Sequence, residues 1–500
     1  MNNSQAEGYN AAFKSTLLFG GVQVVQILVS IIKSKLVSLW LGTTGFGIMG
    51  LFNTTISLIS SVTNLGLQSS AVKDIAHASA QKDEKAVARI VKAINRWVWW
   101  TGSGGALLTI LLSPWLSRWV FESSEYTLSF VWLSLVVLLT GLYNAHYAIL
   151  QGTRHLTLLA KANIFGSLFS FACSIPLFYI FREQGIVWAL ICTALSTLVV
   201  SGFYARKIKL IKVEQTSRES FETGKKTVKL GIAMAMSGVA VLLVQLAVKV
   251  FIKHCAGEPN LGNHLVGLYE AGWALNASYL GLVFTAMAKD YFPRLSQKAD
   301  DNNLIGVMVN QQGEVALLLL APMIMGMVVF LPWLIRLLYS GTFVDAVPMA
   351  KWLLIGSLVK SGSWGISFVF LAKGDGKLFL FNELGIKCIT LPLYMAGYSL
   401  FGLEGIGYAF ALNYVIYFIW VALVARIKYG LSYKGAFWRL FFVLLAALLL
   451  FPVGQSLWHA GWLTGLLLLV AVTLYSLVQL NRRMNLKTVW LKIRERYGKK

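Results

Sequence analysis

Six lysines stand in or beside segments that are otherwise strongly apolar. They are Lys33, Lys35, Lys249, Lys253, Lys360 and Lys387. Near the centre of a bilayer a charged side chain costs about 2.5–3.5 kcal/mol on insertion scales, so a surplus of cations there needs a reason. A desolvated phosphate requires hydrogen-bond donors and counter-charge. We therefore interpret the six lysines as candidates for a cationic, water-filled cavity that binds a phosphate-bearing substrate.

The spacing of these lysines limits which of them can act together. Lys33 and Lys35 are two residues apart, so on a helix they point about 200° from each other and cannot both line one face. Lys249 and Lys253 are one helical turn apart and carry like charge. That arrangement is mildly unfavourable unless an anion or water lies beside it. The pair therefore favours a site for an anion.

Three carboxylates accompany the lysines. Glu383 and Lys387 are four residues apart and could simply neutralise each other, an alternative that the sequence leaves open. Glu270, Glu383 and Asp345 are the candidates for coupling transport to an ion. A cation-rich cavity could also respond to the membrane potential without them.

Other chemistry is sparse in this sequence. There is no Walker A motif, and the six histidines form neither an HExxH motif nor a cluster with metal-ligand spacing. The four cysteines lack CxxC spacing. The net charge of +23 is spread between apolar segments and does not gather on one soluble module. We therefore expect no catalytic residue, no cofactor, no metal and no nucleic-acid partner.

The segments that carry these charges are long and apolar. The chain is 57% hydrophobic and 13% charged, with a mean hydropathy of +0.66. Segments of roughly 20 apolar residues cross the hydrocarbon core as helices. The sequence predicts an all-α, polytopic membrane protein of about 14 transmembrane helices. The predicted spans are 17–40, 48–70, 97–116, 127–150, 162–181, 186–204, 230–252, 266–288, 313–338, 349–372, 378–400, 405–425, 440–457 and 462–480.

Basic residues are unevenly divided between the two sides of these spans. Lys and Arg number 34 on the side that both termini share. The other side has three, Arg118, Arg182 and Lys253. By the positive-inside rule we expect both termini to be cytoplasmic, and we expect a multi-pass protein of the inner membrane.

Four sequence matches recur in order at a nearly constant spacing of 216 to 220 residues. The matching segments are 114–118 with 332–336, 175–178 with 391–394, 185–206 with 405–426, and Leu41-Gly42 plus Gly47 with Leu261-Gly262 plus Gly267. Such agreement indicates an internal duplication. Each copy would hold six spans, an even number, so the two copies are parallel repeats. In transporters of this kind the substrate binds between the halves, which rock to expose it alternately.

The duplication predicts five regions of the chain. They are an N-terminal six-helix half (1–204), a cytoplasmic linker (205–229), a C-terminal six-helix half (230–425), an appended helix pair (426–480) and a basic cytoplasmic tail (481–500).

Three stretches resemble a known family. The first runs from Lys35 through Leu41-Gly42-Thr43-Thr44-Gly45-Phe46-Gly47 to Phe52, the second joins 266–269 to 292–295, and the third is 339–343 followed by Trp352, Gly356, Lys360 and 372–373. Together they resemble Wzx-type flippases for O-antigen and enterobacterial common antigen, within the multidrug/oligosaccharidyl-lipid/polysaccharide exporter superfamily. Two features depart from that pattern. Thr43 stands where such families often have proline, and fourteen helices are more typical of lipid II flippases of peptidoglycan synthesis than of this family.

The resemblance implies a function in lipopolysaccharide or another surface polysaccharide pathway. The expected substrate is an undecaprenyl-diphosphate-linked oligosaccharide, moved from the cytoplasmic to the periplasmic leaflet through a V-shaped cationic cavity. Expected partners are this substrate, membrane lipids, a polysaccharide polymerase and a chain-length regulator. The alternative is a cation-coupled drug or metabolite antiporter of the same superfamily, which would normally have an acidic cavity. A membrane glycosyltransferase needs longer periplasmic loops than these spans leave.

Overall fold

The computed structural model describes residues 3–208, 210–211, 213–458 and 461–484, and this part of the chain is helical and contains no β-strand. The predicted all-α class is therefore confirmed. Most of the basic tail, 485–500, lies outside the described residues. The helices are α1 (Asn3–Thr63), α2 (Leu67–Ala80), α3 (Glu84–Phe121), α4 (Thr127–Gly152), α5 (Leu156–Phe181), α6 (Gly185–Ala205), α7 (Ser217–Ala256), α8 (Pro259–Ala274), α9 (Gly281–Ser296), α10 (Asn302–Val329), α11 (Leu331–Leu338), α12 (Val347–Ala372), α13 (Gly376–Tyr429), α14 (Gly435–Trp458) and α15 (Trp462–Met484).

The number of membrane crossings agrees with the predicted fourteen. Within the described residues, nine helical stretches are long and apolar enough to cross a membrane. Three of them, Val22–Thr63, Leu156–Ala205 and Gly376–Tyr429, have 42, 50 and 54 residues, enough for two crossings each. The 38 residues of α3 and the consecutive helices α8 and α9 supply the remaining two.

Two predicted spans have the wrong limits. The segment 48–70 is not one helix, because α1 ends at Thr63 and the chain turns through Leu65 and Gly66, both with positive φ, before α2 begins. The segment 313–338 is divided between α10 and the separate helix α11. Pro332 falls in the first turn of α11, where its missing amide hydrogen is tolerated.

Two turns that occupy equivalent positions in the predicted duplication have nearly the same backbone conformation. Arg182, between α5 and α6, has φ 51° and ψ −128°. Gly402, 220 residues later within α13, has φ 62° and ψ −146°. Gly185 and Gly405 each follow three residues later. A Cβ on either glycine would overlap the carbonyl oxygen of the residue eight positions earlier. Two segments of different sequence therefore make the same tight helix-to-helix turn.

A second pair of equivalent positions meets directly where α1 crosses α8. A Cβ on Gly47 would overlap the Asn263 carbonyl oxygen, and a Cβ on Gly267 would overlap that of Thr43. Gly47 and Gly267 are 220 residues apart in the sequence, and so are Thr43 and Asn263. The contact is thus reciprocal, as expected for two copies of one segment packed on a local two-fold axis, and glycine is required on both sides.

The chain forms two compact units. The first contains Met1–Gly267 and Leu338–Thr342, and the second contains Leu268–Leu337 and Phe343–Lys500. In the first unit, buried side chains of α2, α3 and α4 such as Ile75, Ile94 and Ile149 form a common core. The region boundaries drawn from the repeat remain predictions.

The helix pair α14 and α15 is built into the second unit. Phe437 is fully buried, stacks on Tyr433 with ring centroids 3.6 Å apart, and packs where Gly313 of α10 leaves space. At the same end of the pair, the Arg483 guanidinium of α15 donates to Glu314, the next residue of α10, at 2.6 Å. These contacts tie the pair to α10.

Candidate functional site

Two of the candidate lysines are buried in the first unit. Lys249 and Lys253 lie one turn apart on α7 and are 3% and 1% exposed. The Lys249 ammonium donates a hydrogen bond to the hydroxyl of Thr54 on α1. That of Lys253 donates to Asn263 Oδ1 at 3.0 Å and lies 4.7 Å from the centroid of the Phe121 ring.

At both of these contacts the acceptor is a neutral side-chain oxygen atom. The Glu122 carboxylate acts electrostatically on Lys253, but it also binds His254 Nδ1 at 2.7 Å. Because the two ammonium groups are buried, neither faces an open, water-filled surface. A substrate phosphate would have to replace Thr54 or Asn263 as the acceptor.

Lys33 and Lys35 contact different elements of the first unit, as residues at this spacing must. Lys33 donates to the Thr193 hydroxyl of α6 at 3.4 Å. Lys35 donates to the carbonyl oxygen of Tyr339. Both lysines are half-buried. The structure therefore does not bring these two ammonium groups together.

A polar run in α1 was missed by the reasoning from charges. Eight of the twelve residues in 53–64 carry a hydroxyl or amide side chain, and this density in a membrane span is the signal that could have found them. Beyond Thr54, the run borders a cavity of about 330 Å³ in the first unit. Its lining includes Ser57, Ser60, Ser61, Asn64, Gln68, Thr140 and Asn144.

This cavity is uncharged and retains unused hydrogen-bonding capacity. None of the described residues that line it carries a charge. Ser60 and Asn64 are 6% and 8% exposed, and neither Ser60 Oγ nor Asn64 Oδ1 has a hydrogen-bond partner within the described part of the chain. Buried polar atoms without a partner are costly, and such atoms commonly mark a ligand or an ordered water. Hydroxyl and amide groups of this kind suit sugar hydroxyls.

Lys360 occupies a different environment in the second unit. Its ammonium lies 5.0 Å from the centroid of the Phe284 ring and 5.5 Å from that of Tyr414, so the two π faces stabilise its charge. One turn earlier on α12, Ser357 donates to Asn276 Oδ1 at 2.5 Å. Asn276 belongs to a π-helical turn, Leu275–Leu280, which joins α8 to α9. Single π turns are frequent at functional sites, and the sequence carried no recognisable signal for this one.

Glu383 is the carboxylate associated with Lys360. Its charge acts on Lys360, and its Oε1 accepts a hydrogen bond from the Tyr417 hydroxyl at 2.6 Å. Lys387 is half-buried on the same helix. In the described part of the chain, no ion pair within 4 Å joins Lys387 to Glu383. Neutralisation within the helix is therefore not realised in this structure.

The other two candidates for ion coupling lie on different elements of the second unit. Glu270 is half-buried on α8, and Asp345 is exposed in the 3₁₀ turn Gly341–Ala346. Among the described residues, no group of three His, Cys, Asp or Glu side chains is placed to hold a metal ion. The structure therefore brings together Lys249 with Lys253, and Lys360 with Glu383.

Comparison with known proteins places the chain in a family. Residues 10–348 match the family described as "Polysaccharide biosynthesis protein". This match spans well over half of the chain. The protein belongs to this polysaccharide biosynthesis family. The matched region contains Lys33, Lys35, Lys249 and Lys253, and it ends before Lys360.

Two relatives of this chain are named as flippases. The "Lipid III flippase" of Escherichia coli (strain K12) is 20% identical over 414 residues, which cover 81% of this chain and 96% of that protein. The same relative of Shigella flexneri matches equally. These relatives are flippases and not enzymes, in agreement with the sequence prediction.

Solved structures show the same fold. A structure of the lipid II flippase MurJ in an inward closed conformation matches with a TM-score of 0.65 and 12% identity, covering 94% of this chain and 99% of that one. An inward-facing multidrug resistance MATE family transporter of the MOP superfamily matches with a TM-score of 0.64 and 15% identity, covering 82% and 94%. The predicted resemblance to polysaccharide flippases is confirmed by the family match and by the relatives. At these identities the two structures establish the fold alone.

Proposed function

We propose that this protein is a flippase for an undecaprenyl-diphosphate-linked oligosaccharide, an O-antigen repeat unit or a similar unit of a surface polysaccharide. It would carry this substrate by alternating access from the cytoplasmic to the periplasmic leaflet of the bacterial inner membrane. The observation that carries the proposal is that two lysines, Lys249 and Lys253, are buried one turn apart on α7. The flippase names of the relatives support the lipid-linked substrate class.

The diphosphate explains why a transporter would bury lysines. An unpaired diphosphate cannot enter a low-dielectric interior without a large desolvation cost, so the protein must supply cations along the route. Each unit has such a cation. Lys249 and Lys253 can exchange a neutral acceptor for a phosphate oxygen. The Lys360 ammonium lies against two ring faces and can donate hydrogen bonds to a phosphate.

The oligosaccharide accounts for the uncharged cavity of the first unit. Sugar hydroxyls both donate and accept hydrogen bonds, and the side chains of Ser60, Asn64 and their neighbours offer both. A cavity of about 330 Å³ has room for one or two sugar rings. The same α1 run also contains Thr54, the partner of Lys249. One helix would thus contact both the diphosphate and the glycan.

A cation-coupled antiporter is the second candidate. The observation that favours it is the Glu383 carboxylate, held by Tyr417 in the second unit, together with the MATE fold neighbour. In an antiporter the essential charged residue would be Glu383 and lysine would be replaceable. In the flippase the lysines are essential and Glu383 tunes Lys360.

Charge removal in cells separates the two candidates. A strain lacking the gene is complemented with Lys360→Gln, Lys387→Gln or the double variant, and surface glycan is measured at matched protein level. In this proposal each lysine pairs with a substrate phosphate. Removing one partner of a buried charge pair costs about 3–5 kcal/mol, so we expect export to fall roughly a hundredfold in the double variant. Arginine at Lys360 should restore more export than glutamine does. Lys351→Gln, on the same helix near its start, is the control and should export normally. Normal export by the double variant would refute a phosphate role for Lys360 and Lys387.

Topology is tested independently by cysteine labelling. We propose that the tail 481–500 and the linker 205–229 lie in the cytoplasm. Single cysteines there should be protected from impermeant reagents in intact cells, and cysteines in 122–126 should be labelled. Labelling of the tail from outside would contradict the proposed orientation.

A further inference from the structure

A cleft of about 360 Å³ lies in the first unit where the beginning of α3 passes the first turns of α7. Its lining combines two arginines with three aromatic rings and one serine. The residues are Arg96, Trp97, Trp100, Arg218, Ser220 and Phe221. None of them belongs to the sites described above.

The aromatic wall of this cleft is fixed by packing. The Trp97 ring stacks on Phe221, with centroids 4.9 Å apart and planes at 22°. Trp97 Nε1 donates to the Ser220 carbonyl oxygen at 3.3 Å. The indole fills the space beside Gly224, where a Cβ would overlap it. The wall is therefore preorganised and does not have to form when a ligand arrives.

The two arginines form the rim and differ in their attachment. Arg96 NH1 donates to the Thr216 carbonyl oxygen at 2.8 Å and to Ser220 Oγ at 2.6 Å, which holds the guanidinium in place. Arg218 is exposed, and its nearest carboxylate contact is Glu222, 4.0 Å away. A guanidinium offers five N–H donors in a fork that matches phosphate geometry.

The cleft lies at the border between the polar and the apolar part of α3. Trp100 is 72% exposed and begins a stripe of exposed apolar side chains that continues through Leu107, Leu111 and Trp115. These positions repeat at helical spacing, so they share one lipid-facing side of the helix. On the other side of Trp100 the helix carries the basic residues of its first turns. Tryptophan and arginine in this order are typical of a membrane interface.

We propose that this cleft binds one anionic phospholipid. The phosphate lies between Arg96 and Arg218, the glycerol region packs on Trp97 and Phe221, and an acyl chain follows the stripe that begins at Trp100. The N-terminus of α7 does not itself supply the site. Its cap is taken by Glu219, which accepts from the Thr216 amide at 2.9 Å, and hydrogen bonds from Thr216 hold the pKa of Glu219 below its usual value. The guanidinium groups therefore provide the attraction, and Glu222 opposes it.

Native mass spectrometry of the full-length protein in a neutral detergent tests this proposal. Phosphatidylglycerol, phosphatidylcholine and inorganic phosphate are titrated separately, and bound copies are counted. We expect one phosphatidylglycerol to be retained at concentrations where phosphatidylcholine is lost, and inorganic phosphate not to displace it. Arg218→Gln should weaken phosphatidylglycerol about fivefold, the contribution of one basic residue at an anionic lipid surface. Glu222→Gln should tighten binding.

Arg118→Gln provides the matched control. Arg118 is exposed near the other end of α3, beside the stacked rings of Trp115 and Trp119, and is absent from the cleft lining. Its loss removes the same charge from the same helix and should leave the retained lipid unchanged. Equal loss in both arginine variants, or equal retention of the two phospholipids, would overturn the proposal. Displacement by inorganic phosphate would overturn the assignment to a phospholipid. Because Arg218 is exposed, a folding defect does not confuse the comparison, and thermal denaturation of each variant checks this.

Discussion

The two units stabilise buried lysines by different chemistry. In the first unit, hydrogen bonds to the side-chain oxygen atoms of Thr54 and Asn263 hold Lys249 and Lys253. In the second unit, the rings of Phe284 and Tyr414 enclose Lys360, and Glu383 adds an opposite charge. A hydrogen-bond acceptor is directional and can be exchanged for a phosphate oxygen, whereas a ring face is broad and stays in place. The hydrogen-bonded arrangement suits a lysine that changes its partner during transport. The arrangement with ring faces suits a lysine that stays charged throughout transport.

The largest effect on stability is expected at Lys253. Lys253→Ala would leave a cavity around a fully buried side chain and remove the partner of Asn263, so the free energy of unfolding should fall by about 3 kcal/mol. Thermal denaturation in detergent measures this. Lys85→Ala, at an exposed position of α3, is the control. Lys253→Met should recover the packing part but not the hydrogen bond. An unchanged melting temperature for Lys253→Ala would mean that the side chain is not packed as described.

The next effect concerns the rings around Lys360. Lys360→Met should destabilise the protein by about 2 kcal/mol, the size of a desolvated cation–π interaction. Phe284→Leu should be destabilising in the wild type but much less so in the Lys360→Met background, because the interaction it removes is already absent. The double-mutant cycle of melting temperatures gives the coupling. Strict additivity would show that the ring does not stabilise the ammonium, and the contrast between the units would then fail.

Substitution in the uncharged cavity should affect stability in the opposite direction to substitution of the lysines. Ser60→Ala removes a buried hydroxyl without a partner in the described part of the chain, so stability should stay the same or rise by up to about 1 kcal/mol. Glycan export should nevertheless fall severalfold if Ser60 contacts sugar. Thr55→Ala is the matched control, since the Thr55 hydroxyl is bonded to the Leu51 carbonyl oxygen. Lower stability together with normal export for Ser60→Ala would assign the residue to packing alone.

The smallest effect on stability is expected for Glu383→Gln. The Tyr417 hydroxyl can still donate to the glutamine side chain, so the hydrogen bond remains and only the charge near Lys360 is lost. We expect a change of less than about 1 kcal/mol. Adding Lys387→Gln should not restore export to the wild-type level, because the two residues do not form an ion pair. Full recovery in the double variant would instead support a structural pair.

Much of the fold could be predicted because apolarity is a local property of the chain. Each span is recognisable as about 20 consecutive apolar residues. The uneven distribution of basic residues between the connections indicates which side of the membrane each connection occupies. The limits of helices depend on short-range backbone geometry that composition does not report. Leu65 has a positive φ although leucine rarely adopts one, and composition does not report this. Arg182 has nearly the same backbone conformation as Gly402, and nothing in the sequence around Arg182 marks its turn.

The site was harder to predict because partners are distant in sequence. The lysines were found, since a charge in an apolar span is conspicuous. Their partners were not, because Thr54 is 195 residues from Lys249 and ring faces carry no charge to notice. The like charges of Lys249 and Lys253 predicted repulsion, and the protein gives each ammonium its own acceptor. The polar run of α1 was visible, but uncharged residues at helical positions are more often interpreted as packing.

Transport by the purified protein in proteoliposomes shows whether the buried lysines carry the diphosphate of the substrate. Two lipids with the same labelled sugar are compared, one linked through a diphosphate and one through an uncharged linkage. We expect the wild type to move only the diphosphate lipid. Lys249→Gln combined with Lys360→Gln should abolish that movement, while Lys85→Gln leaves it intact. Equal movement of both lipids by the wild type, or movement of the diphosphate lipid by the double variant, would show that the buried lysines do not carry the diphosphate.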